Sequence, residues 1–178
     1  MAKPQSDLLI LDANVLIDYC SAERGILTLI SENVGRIHVP TLLLEEVKAL
    51  DASECDRLGL HVFEPEMEWV SAAGKRRPGL SFYDHLCLLL AKQEAWTCVT
   101  NDGKLRRECG VDGVPVLWGL EPMIMLVAMG QITGDEAKRV ARAIQMENPF
   151  YITDKVIKRF VQRIEAASGA KIDSHDFP

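Results

Sequence analysis

The chain has 178 residues, 48% of them hydrophobic and 26% charged, a composition that suits one globular domain with appendages and not two large domains. Its 20 basic and 26 acidic residues leave a formal net charge of −6, which argues against sequence-blind adhesion to nucleic acid or anionic lipid. The longest apolar run, Met123 to Met129, falls far short of the roughly 18 residues of a membrane span. Asp12 cuts the apolar stretch at the N-terminus before it could serve as a signal-peptide core, so a cytoplasmic protein without membrane contact is expected. Cys20, Cys55, Cys87, Cys98 and Cys109 form an odd set without a C-x-x-C pair and read as reduced, mostly buried thiols.

Leu8 to Leu11 is a short continuous apolar run, as in a strand covered on both faces, and Val15, Leu16 and Tyr19 follow at helical spacing. Ile37 to Val39 predicts a second strand leading into a helix from Thr41 to about Leu50, and Leu60 to Phe63 a short extra element. Gly74 to Gly79 places turn residues around the basic triplet Lys75-Arg76-Arg77 and reads as an exposed loop. Leu86 to Ala91 is apolar nearly all round and should form a central helix. Thr97 to Thr100 predicts a strand followed by a shorter helix around Leu105, and Val114 to Leu117 one more strand. From Gly119 the pattern is wholly helical, with Thr133 and Glu136 spaced as a capping box and Pro149 separating the last helix; Lys171 to Pro178 reads as a frayed end. Strands alternating with helices imply an α/β sandwich around a mostly parallel sheet.

Four carboxylates stand where chemistry is expected. Asp12 ends the first strand, at the edge where open parallel sheets place ligands, although Asp is equally a favoured N-cap. Glu46 has Leu42, Leu43, Ala49 and Leu50 as its helical neighbours and would lie on a buried stripe, whereas Glu45 has Lys48 as a partner. Asp84 opens the most apolar helix, where Ser81 and Asp84 also fit a capping box. Asp102 follows a strand, in an Asn-Asp-Gly sequence that would serve equally as a turn or cap. Two acids at the carboxyl ends of strands and two on helices packed over the sheet are able to converge. Such a cluster needs cations in a poorly hydrated site, and hard oxygen ligands select Mg2+ or Mn2+ over zinc.

The segments LLILDANVLID, VPTLLLEEV, LSFYDHLCLLLA and CVTNDGKLR together resemble the four acidic motifs of the PIN-domain nucleases, over about Leu8 to Leu120. The segment GLEPMIMLVAMGQIT is similar, more loosely, to the helical C-termini of VapC-type toxins. The resemblance implies a three-layer α/β/α sandwich with a parallel sheet of four or five strands. It implies a nuclease domain over 7–120, C-terminal helices over 121–168 packed on the domain or on a second subunit, and a flexible tail over 169–178. The family's acids map onto Asp12, Glu46, Asp84 and Asp102 as catalytic residues and ligands of one or two Mg2+ or Mn2+ ions. Asn14 and Thr100 would orient metal-bound waters, and Gly103 stands where some relatives carry a further acid. The implied activity is metal-dependent endonucleolytic cleavage of RNA, free-standing or as a toxin restrained by an antitoxin.

Lys104, Arg106 and Arg107 lie just past Asp102 and are candidates to meet RNA phosphates, with Lys75, Arg76 and Arg77 as a mobile basic clamp; an ordinary solvated surface is the alternative for each. Ile152, Val156, Phe160 and Ile164 give the last helix an apolar face for packing on its own domain or for a homodimer, and Lys155, Lys158, Arg159 and Arg163 make the rest basic. Two other functions compete: a module of the same fold that binds RNA or protein without cleaving, and a phosphotransferase with an aspartyl nucleophile at Asp12. The second expects D-x-D, where this chain has Asn14.

Overall fold

Aliphatic runs become strands here because helices cover both sides of them. The computed structural model describes residues 7–172. Strand β1 (Asp7–Leu11) leads through helices α1 (Ala13–Ala22) and α2 (Gly25–Asn33) to β2 (Gly35–Pro40). A 3-10 helix (Thr41–Glu45) and α3 (Ala52–Arg57) precede β3 (His61–Phe63), and α4 (Met67–Ala73) and α5 (Phe82–Glu94) precede β4 (Thr97–Val99). Helix α6 (Gly103–Asp112) then joins β5 (Val116–Leu117), and α7 (Glu121–Met129), α8 (Gly134–Glu147) and α9 (Asp154–Ile172) complete the described chain.

The strands form one all-parallel sheet in the order β3-β2-β1-β4-β5, with Ile10 paired to His38 on one side and to Cys98 on the other. Leu9, Ile10 and Leu11 on the central strand are fully buried, as are Leu86, Cys87 and Leu88 on α5, which packs on β1 and β4. Helices α4, α5 and α6 pack together in one layer. On the other face α1 packs on α8, α2 on α7, and α9 on both α7 and α8. The result is the expected three-layer α/β/α sandwich. Ile152, Phe160 and Ile164 are buried, so the apolar face of the last helix is used within the chain. No described helix is long and apolar enough to cross a membrane. All five cysteines are buried.

The chain leaves β1 toward β2 and β3 and later leaves β4 toward β5, so the direction of winding reverses between β1 and β4. The carboxyl ends at such a reversal are where open α/β sheets bind ligands. One close approach holds this edge together: Gly119 donates its N–H to Asn101 Oδ1 at 3.0 Å and accepts from the Tyr19 hydroxyl at 2.6 Å. A Cβ at Gly119 would collide with the Asn101 side chain, so no other residue fits there without displacement.

Three expectations need correction. The helix from Thr41 to Leu50 is replaced by a 3-10 helix ending at Glu45 and by turns, before Asp51 caps α3 through the Glu54 N–H at 2.7 Å. Leu43, Val47 and Leu50 are still buried, while Glu46, at the C-cap where the 3-10 helix gives way to turns, is exposed. The strand expected from Val114 begins only at Val116: Val114 donates to the Cys109 carbonyl in closing α6, and Pro115 has no N–H to donate. Helix α9 continues through 169–172, where a tail is expected; 173–178 lie outside the described residues.

Candidate functional site at the carboxyl edge of the sheet

Asp12 follows β1 and is 1% exposed. Its backbone N–H reaches across to the Val99 carbonyl of β4 at 3.1 Å, fixing the residue at the reversal point. One carboxyl oxygen caps α1 by accepting from the Val15 N–H at 2.7 Å, and the other accepts from the hydroxyl of fully buried Thr100. Burial is the main force on its ionisation and pushes the carboxyl up to about 7; the Thr100 and Val15 hydrogen bonds oppose this, while Asp84 and Asp18 add to it.

Asp102 is tied to the same centre, since its N–H donates to Thr100 Oγ1 at 3.0 Å. Its Oδ1 caps α6 through the N–H groups of Lys104 and Leu105 at 2.6 and 3.0 Å, and its Oδ2 accepts from the Tyr151 hydroxyl at 3.2 Å. Asp84 forms the expected capping box, accepting from the Ser81 N–H and hydroxyl at 3.2 and 2.8 Å through Oδ2. Its Oδ1 accepts no hydrogen bond among the described residues. For these three aspartates each cap uses a single oxygen; the other accepts from Thr100 at Asp12 and from Tyr151 at Asp102, and at Asp84 it is left without a donor among the described residues. The helix N-termini behind them also favour negative charge.

Glu46 departs from the expected buried stripe. It is exposed, and desolvation followed by the nearby Asp84 charge raises its carboxyl above the ordinary value. Glu45 accepts from the Tyr83 hydroxyl at 3.2 Å and forms no ion pair with Lys48. Asp84 acts electrostatically on both Asp12 and Glu46, and Asp102, Asp84 and Asp12 all raise the Tyr151 hydroxyl, after its desolvation. Among the described residues none of the four forms an ion pair with a basic side chain. Nor are three or more His, Cys, Asp or Glu side chains there grouped so as to hold a metal ion.

Of the other candidates, Thr100 sits at the centre as described, whereas Asn14 is exposed and hydrogen-bonds to none of the acids among the described residues. Lys75, Arg76 and Lys104 are exposed. Arg77 is not a mobile clamp: it pairs with Glu108 at 2.8 Å and Asp112 at 2.9 Å, joining the loop to α6. Arg107 lies 3.6 Å from Glu108. Arg106 stacks on Trp118, its guanidinium carbon 3.2 Å from the ring centroid, and its Nη1 is buried without a hydrogen-bond partner.

Two residues of this edge escape the sequence reading. Asp18 is 5% exposed, accepts from Asn148 Nδ2 at 3.0 and 3.3 Å, and is raised to about 6, mainly by burial. The helical arithmetic applied to Glu46 does not flag it, since its neighbours three and four residues away are Asn14, Val15, Ser21 and Ala22, half of them polar. Tyr151 had no local signal either: its contact with Asp102 spans 49 residues of sequence. Together Asn148 and Tyr151 bring the connection between α8 and α9 across the acids.

Comparisons of the chain with known protein families, curated proteins and solved structures found no match.

Proposed function

We propose that this chain is a metal-dependent endoribonuclease whose site is the carboxyl edge between β1 and β4. The observation that carries the reading is the treatment of Asp12: a carboxylate 1% exposed, raised to about 7, beside other acids and without a cationic side chain paired to it. A fold holds such a group at a loss of stability, and strongly perturbed acids at a ligand-binding edge mark functional sites. The donor set fits a hard divalent cation, because every candidate ligand is a carboxylate oxygen.

Asp12, Asp84, Asp102 and Glu46 would hold Mg2+ or Mn2+, as one or two ions, which supplies Lewis acidity toward a phosphodiester. Thr100 orients the Asp12 carboxylate and, through the Asp102 N–H, holds the two strand-end acids in fixed relation. Tyr151 supplies a hydroxyl donor at Asp102 Oδ2. Cation binding requires ionised Asp12, so apparent metal affinity should rise with pH up to and through about 7. The resemblance to PIN-domain nucleases points to RNA as the substrate, and the reading extends to a toxin held in check by a protein antitoxin.

The test follows end-labelled single-stranded and hairpin RNAs with purified protein in Mg2+, Mn2+ or EDTA, beside Asp12→Asn. Cleavage that needs the ion and falls at least about 100-fold in the variant is the expected result, since even groups that merely orient metal ligands are worth about 10- to 100-fold. Cleavage that persists in EDTA or in the variant contradicts the proposal. Binding of RNA without cleavage in either ion would favour the non-catalytic module.

A further inference from the structure

Trp118 follows β5 directly, one strand over from β4 and Asp102, so it stands on the same edge of the sheet as the acids. It is 37% exposed and opens a groove of about 280 Å³ between α7 and α9, floored by Leu120, Ile124 and Phe160. The outer wall is cationic, with exposed Lys155 and Arg159 on α9. Neither forms an ion pair among the described residues, whereas Arg163 is bound to Glu121 at 2.7 Å. Arg106 stacks on the indole without lining the groove. In a chain of net charge −6, two such cations beside an aromatic slot select an occupant that is both planar and anionic. The volume suits a ring system.

We infer that the groove beside Trp118 takes an unstacked nucleobase of single-stranded RNA, with Lys155 and Arg159 meeting its flanking phosphates. This rests on the ribonuclease reading of the neighbouring acids and adds to it a preference for unpaired substrate, because a base within a duplex cannot enter a side groove. Aromatic stacking and backbone cations are the two components of single-strand binding, and here they lie within one groove.

The test measures binding in EDTA, where no cleavage is expected, of a labelled five-nucleotide uridine RNA and of an abasic strand of equal length and charge. The uridine strand should bind about 5-fold or more tightly than the abasic one, and Trp118→Leu should abolish that preference. The double variant Lys155→Gln, Arg159→Gln should instead weaken both strands and reduce the salt slope of log K by roughly 0.7 for each phosphate that is no longer neutralised. Equal binding of the two strands, or a preference that survives Trp118→Leu in a variant with unchanged melting, overturns the inference. An oligomeric state or acidic-peptide affinity that changes in Trp118→Leu, while RNA binding does not, overturns it in favour of a protein partner. Because no turnover is read, base-dependent binding by a chain that never cleaves RNA would remove the nuclease reading and leave the groove, and cleavage without base preference would do the reverse.

Discussion

The chain treats its carboxylates in two opposite ways. Around the 74–79 loop, Asp112 and Glu108 are given Arg77, and that guanidinium, through its hydrogen bond first, holds the Asp112 carboxyl below its ordinary value. At the carboxyl edge of the sheet, Asp12 and Asp18 are given hydroxyl, amide and N–H donors only, and burial raises both. The same fold therefore has the means to neutralise its acids and does not use them where β1 and β4 end. A pair such as Arg77 with Asp112 explains itself as structure. The unpaired acids at the topological reversal are what the proposed cation would account for.

The largest expected consequence is a stability profile of opposite sign in the two regions. Asp18 has its folded value raised to about 6, so the native state holds the proton more tightly than the unfolded chain. Its contribution is fully present below about 4 and is lost as pH rises through about 6, a change of about 3 kcal/mol. In EDTA, Asp18→Asn should match the wild type in urea unfolding at pH 4 and exceed it by roughly that amount at pH 7.5. A variant less stable than the wild type at pH 7.5 would break the comparison. Asp112 runs the other way, since its stabilisation is present above the ordinary carboxylate value and is lost as pH falls through its depressed one.

Arg77→Ala comes next. Its partners are only partly exposed, at 19% and 15%, and without it Glu108 and Asp112 keep only the longer contacts with Arg107 at 3.6 Å and Lys92 at 3.7 Å. A loss of about 2 kcal/mol is expected, between the values for exposed and buried pairs, and a melting temperature lower by several degrees. RNA cleavage per folded molecule should not change; a specific loss of cleavage would restore the clamp role expected for this residue. The smallest effect belongs to Tyr151→Phe, which removes one hydroxyl donor at 3.2 Å from Asp102. About 1 kcal/mol is at stake, read as a few-fold change in cleavage with the melting temperature within a few degrees of wild type.

The strand-end acids were legible in the sequence because both signals are local: an apolar run shows where a strand stops, and Asp12 and Asp102 stand at the stop. Asp84 was legible with its capping box for the same reason. The spacing around Glu46 assumes an α-helix through Leu50, whereas the helical winding ends at Glu45 and leaves Glu46 exposed, within electrostatic reach of Asp84. The individual positions of the basic residues were not readable. Arg77 and Arg106 are engaged by Glu108, Asp112 and Trp118, and which cations are left free is decided only by packing. Asn148, Tyr151 and the groove at Trp118 depend on α7 to α9 folding back over the edge, and no spacing rule reports contacts 49 or 130 residues apart.

The central claim is that the uncompensated acids await a divalent cation, and a melting series in EDTA and in increasing Mn2+ at pH 7.5, for wild type and Asp12→Asn, tests it most directly. The account predicts that the variant melts higher than wild type in EDTA, because a buried charge is gone, and that Mn2+ raises the wild type while raising the variant far less. A wild type indifferent to Mn2+, or a variant that gains as much from it as the wild type does, would contradict the claim.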